Sequence, residues 1–75
     1  MFLEVIYLIK YDRIWETMRK RNMSQYALII KHGFYSSVFT RLRKNLPITT
    51  TTIDDLCKVL NCNVEDIMEY VKDEK

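Results

Sequence analysis

The chain has 75 residues, 48% of them hydrophobic, with a single glycine and a single proline. That is enough for one small, mostly helical domain with a limited core, and it excludes a disordered chain. The formal charge of +2 excludes little by itself, but its distribution is uneven. Residues 10–44 hold nine Lys or Arg against Asp12 and Glu16, a net +7, whereas residues 45–75 hold three Lys against seven acids, a net −4. A cationic half docked on an anionic half gives a dipolar molecule whose basic side faces a polyanion.

In chain order, residues 2–10 (FLEVIYLIK) come first and favour a strand through their Phe, Val, Ile and Tyr content. The stretch is too short, and too interrupted by Glu4, to span a bilayer, and it lacks the basic start and cleavage site of a signal peptide. We divide the chain into this N-terminal arm, 1–10, and one domain, 11–75. The first helix is expected from Asp12 to Arg21, with Ile14, Trp15 and Met18 inward, ending at Asn22.

A second helix opens after Ser24, a good N-cap, and closes at Gly33, where a helix end needs tolerance of positive φ. A third starts near Ser36, with Val38, Phe39 and Leu42 as its buried stripe and Arg41, Arg43 and Lys44 on other faces. Pro47 prevents its continuation, and Thr49 or Thr50 caps a fourth helix that runs to about Leu60. Asn63 caps a short fifth helix, and the tail Met68-Glu69-Tyr70-Val71 is extended. An isolated N-terminal strand would be a sticky edge. It is expected to pair with this tail, with a second copy, or with both, and strands that help to join two copies are favoured.

Enzyme chemistry finds no constellation here. There is no glycine-rich phosphate loop and no paired-acid arrangement, and His32 has no Ser, Cys or carboxylate placed to form a triad with it. His32 suits the last turn of its helix, where a cation meets the dipole. Cys57 and Cys62 match no metal signature, and His32 is far off in sequence, so small buried thiols in a reducing cytosol are the expectation. No cofactor, metal or small-molecule substrate is implied. Two short helices held at a steep angle by a tight turn do suggest one activity: that geometry places the second helix in the major groove of DNA.

The segment 24–45 (SQYALIIKHGFYSSVFTRLRKN) resembles the helix-turn-helix of the phage repressor and Cro family, through Ser24, Gln25, Ala27, Leu28, Gly33, Phe34 and Phe39. Residues 49–70 are similar to the helices that close that family's five-helix bundle, with Leu56, Leu60 and Cys62 at apolar sites. The compact, short branch of the family fits best, over about residues 11–70. The departure is Tyr35, where the family prefers a hydroxyl or amide N-cap, so that Ser36 is an alternative cap.

The resemblance implies an all-α, five-helix helix-turn-helix domain in the cytoplasm that binds double-stranded DNA as a homodimer and regulates transcription. A repressor of phage or mobile-element type is favoured by analogy with other small chains of the family. It implies base contacts from Ser36, Ser37, Thr40 and Arg41. Arg41 is the strongest reader, because a guanidinium can bond guanine O6 and N7 together. Phosphate contacts are expected from Ser24, Gln25, Tyr35, Arg43, Lys44 and Asn45. Ile30 is apolar at an expected surface position of the second helix, and it keeps open an alternative: a protein-interaction module on the same scaffold.

Overall fold

The computed structural model describes residues 8–71. Its elements in order are β1 (Ile9–Lys10), α1 (Arg13–Lys20), α2 (Gln25–His32), α3 (Ser36–Arg43), α4 (Thr50–Leu60), a single 3-10 turn (Val64–Asp66) and β2 (Glu69–Tyr70).

All four α-helices end in one way, although the chain has one glycine. Gly33 closes α2 at φ 78°, and Asn22, Asn45 and Asn61 stand after α1, α3 and at the end of α4 at φ 57°, 56° and 53°. Asparagine is among the few residues that enter the left-handed region at modest cost. Each is followed by an apolar residue whose N–H reaches back into the helix, Met23 to Met18, Leu46 to Arg41 and Cys62 to Cys57 over five residues and Phe34 to Leu28 over six, at 2.9–3.2 Å. The three five-residue bonds are Schellman closures, and at all four ends orphan carbonyls are satisfied while an apolar residue follows the left-handed one. Met23, Phe34 and Cys62 pack against the core.

The core is built from one stripe of each helix. Ile14, Leu28, Phe39, Leu56 and Leu60 are fully buried, joined by Tyr11, Met18, Leu42, Ile53 and Ile67. Trp15 and Val38, expected inside, are half-buried on the flank of this cluster. Phe34 meets Phe39 edge-on, with ring centroids 6.4 Å apart and planes at 71°. Such pairs contribute about 0.5–1.5 kcal/mol beyond area burial. The pair fixes how the turn after α2 launches α3.

Two expectations need correction. The bundle has four α-helices rather than five, because the segment capped by Asn63 makes only one 3-10 turn. Its capping box, in which Asn63 and Asp66 each bond the other's backbone, satisfies the turn locally. The chain must then extend at once, because Ile67 is fully buried and Glu69 is already paired in the sheet. Likewise α1 spans Arg13–Lys20, one residue shorter at each end than expected.

The tail pairs antiparallel with the N-terminal segment of the same chain, Ile9 opposite Tyr70 and Lys10 opposite Glu69. The Val71 N–H donates to Leu8 O at 2.7 Å and extends the ladder. The expected strand over residues 2–10 is thus seen at its last two residues; its first part lies outside the described residues. Side chains tie this closing segment to the helices. The Thr17 hydroxyl donates to Asp66 O at 2.7 Å, and Arg13 reaches both Glu65 O (3.1 Å) and the Glu69 carboxylate (2.8 Å). Among the described residues no helix is long and apolar enough to cross a membrane.

Candidate nucleic-acid interface

The start of α2 is set by Ser24. Its extended backbone turns the hydroxyl back to accept the Ala27 N–H at 3.0 Å. As at any helix start, other first-turn N–H groups stay without intrahelical partners and carry the positive end of the dipole. Gln25 sits beside them, half-buried, and its side-chain oxygen accepts from the Arg43 guanidinium at the far end of α3. That guanidinium also lies 5.6 Å from the centroid of the Trp15 ring on α1, within cation–π range. Arg43 is therefore held by α1 and α2 together, which sequence reasoning missed: nothing in the local pattern announces a contact 28 residues away.

Helix α3 begins without a side-chain cap. Tyr35 occupies the N-cap position in extended conformation, 78% exposed, and Ser36 is the first helical residue, so Ser36 does not take over the capping. With Phe39 and Leu42 buried, the helical period leaves Ser36, Ser37, Thr40 and Arg41 exposed. Arg41 is turned along the chain, its Nε–H donating to Pro47 O at 2.8 Å, so the guanidinium lies beside the α3–α4 loop. Lys44 is exposed at the end of the helix.

Asn45, expected among the phosphate contacts, has an internal task. Its backbone is the left-handed residue that ends α3, and its Oδ1 accepts the Tyr11 N–H at 2.9 Å. The fold also divides the cations. Arg13 pairs with Glu69 and Arg19 with Glu16, while Arg21 donates to Leu60 O (2.8 Å) and Asn61 O (3.1 Å) at the C-terminus of α4. Those three belong to the protein's own architecture. Lys10, Lys20, Lys31, Arg41, Arg43 and Lys44 have no carboxylate partner among the described residues.

Two short helices joined by a glycine-closed turn, the second with a bare polar outer face and cations at its end, define a helix-turn-helix. The chain belongs to the Cro/C1-type helix-turn-helix DNA-binding domain family, whose model matches residues 13–73. Among solved structures it is similar to the transcriptional regulator VanUg (crystal form II), with 28% sequence identity and a TM-score of 0.77 over 95% of this chain and 100% of that one. No curated protein sequence matches it.

Proposed function

We propose that this domain is a sequence-specific transcriptional regulator, a repressor of phage or mobile-element type, that inserts α3 into the major groove as a homodimer. One observation carries the reading: Ser36, Ser37, Thr40 and Arg41 form an exposed polar face on α3 while the same helix buries Phe39 and Leu42. Ser36, Ser37 and Thr40 meet base edges, and Arg41 leaves Pro47 O for guanine. Arg43 and Lys44 hold phosphates on one side of the groove. On the other side the Gln25 and Ser24 segment presents the positive end of α2 to a phosphate, and Tyr35 packs on sugar. Occupancy of a promoter then blocks polymerase.

A module this small makes few base contacts, so two copies on a palindrome supply the specificity, with half-sites about 34 Å apart. The edge of β1 that faces away from β2 joins the two copies, extending the two-stranded sheet across the dimer.

A second reading rests on α2, where Tyr26 and Ile30 are 72% and 62% exposed and stand four residues apart on one face. Such a face suits a protein partner. Gel retardation on genomic fragments at low and moderate salt separates the two. Retention of particular fragments over competitor DNA is expected; its absence at both salts gives the interaction reading the lead.

A further inference from the structure

Among the described residues, the Arg43 guanidinium is held by neutral groups alone. Its Nη2–H donates to Gln25 Oε1, at the first residue of α2, and its Cζ lies 5.6 Å from the centroid of the Trp15 ring on α1. Gln25 must turn its oxygen to this contact, because a guanidinium has donors and no acceptor. Arg13 and Arg19 are held differently, by the carboxylates of Glu69 and Glu16. A carboxylate orients a cation and also cancels its charge. An amide oxygen and the face of an indole orient it and leave the whole charge for another anion. Arg43 is exposed, whereas Trp15 is half-buried, packs against the core and follows the fully buried Ile14 in α1.

We propose that Trp15 is a positioning residue for DNA binding: its ring, with the Gln25 amide, holds the Arg43 guanidinium in place for a backbone phosphate while touching no DNA itself. This rests on the reading that α3 enters the major groove with Arg43 against a phosphate. An arginine at a helix end is long and rotatable, and fixing it at the moment of binding costs affinity. A guanidinium already seated on a ring avoids part of that cost. Trp15 thus links α1, which lies outside the two-helix motif, to the grip of the motif on the duplex.

The test is a double-mutant cycle on the full chain, read as affinity for a duplex of mixed sequence, with Trp15→Leu, Arg43→Met and the two combined. Trp15→Leu is expected to bind about two- to fivefold more weakly, the range of an exposed cation–π contact. Trp15→Phe keeps a ring and should fall between Trp15→Leu and the wild type. Arg43→Met should bind more weakly and lower the slope of log K against log salt by about 0.9. In the Arg43→Met background Trp15→Leu should cost nothing further, a result that loss of packing alone does not give. Circular dichroism at the assay temperature reports whether each variant is folded.

A second readout leaves the ring untouched. Trp15 is the only tryptophan of the chain, so fluescence of the indole, which follows the local electric field, reports on this site alone. Added duplex should change the emission of the wild type clearly more than that of Arg43→Met at the same occupancy. Equal losses from Trp15→Leu in both backgrounds, or equal emission changes in the two proteins, would overturn the proposal and leave the role of α3 standing. Wild-type affinity and salt slope in Arg43→Met would instead overturn the phosphate reading of Arg43, and this proposal with it.

Discussion

The side-chain oxygen of Asn45 accepts the backbone N–H of Tyr11, 34 residues earlier, at 2.9 Å. One residue thereby ends α3 in the left-handed region and holds the junction between β1 and α1. The two roles separate by substitution. Asn45→Gly keeps the backbone geometry and leaves the Tyr11 N–H without its acceptor, at a cost of about 1–2 kcal/mol. Asn45→Ala also leaves a β-carbon in the left-handed region without the polar side chain that lets asparagine tolerate it, for roughly 1 kcal/mol more. Urea unfolding of the two variants checks the order; equal losses would remove the backbone role.

How much of this could be read in the residues follows from the same position. The helix stops at Asn22 and Gly33 are legible from the residue types alone. Asn45 is grouped with the phosphate contacts because it follows Arg43 and Lys44, and its place at a helix end is a second role. The signal for that second role is in the sequence: Asn22-Met23, Gly33-Phe34, Asn45-Leu46 and Asn61-Cys62 repeat one pattern of a left-handed residue followed by an apolar one. The exposed face of α3 was legible because helical period alone decides it once Phe39 and Leu42 are inside. Long-range partners were not. The Arg43 contacts to Trp15 and Gln25, and the use of Arg13 and Arg21 on the acidic half, depend on how helices meet in space. The fifth helix failed for a related reason. Caps describe where a helix can begin, while its length was set by the distance the chain must cover to reach β1.

Gly33 gives a cleaner test of those helix ends. A β-carbon added there would meet nothing within 4 Å, so any cost comes from the backbone at φ 78°. Gly33→Ala should destabilise by about 1–2 kcal/mol. Gly33→Asn should cost clearly less, because asparagine already serves the other three helices. Thermal melts of the pair decide it; Asn as costly as Ala would mean that the turn needs glycine for another reason.

The cations should fall into two classes. Arg21 is spent on the carbonyls of Leu60 and Asn61, whereas Lys44 is exposed with no carboxylate partner among the described residues. Arg21→Ala is expected to lower stability by about 1–3 kcal/mol while leaving the salt dependence of DNA binding unchanged at temperatures where it is folded. Lys44→Ala should leave stability within about 0.5 kcal/mol. It should weaken binding to every duplex alike and reduce the slope of log K against log salt by about 0.9. Unfolding curves and binding isotherms at three salt concentrations separate the two classes, and a flattened slope in Arg21→Ala would contradict the division.

Alkali should loosen the end of α4. Burial, then the neighbouring Cys57 and the Asp66 carboxylate, push the Cys62 thiol from its ordinary 9.0 up to about 11. The unfolded chain therefore gives up this proton first, and stability fully present below pH 9 is lost as the pH rises toward 11. Tyrosines titrate in the same range, so the comparison that counts is with Cys62→Ala, whose loss of stability across that window should be shallower. Identical pH profiles for the two chains would show that Cys62 contributes nothing to it.

The central claim, that the outer face of α3 reads base edges, is tested most directly by selecting bound duplexes from a random pool with the wild type and with Ser37→Ala/Thr40→Ala/Arg41→Ala. The wild type should enrich a palindrome with half-site centres about one helical turn apart. The triple variant, still folded, should bind duplex DNA with that preference lost. Enrichment of the same palindrome by both proteins, or of none by the wild type, would contradict the account.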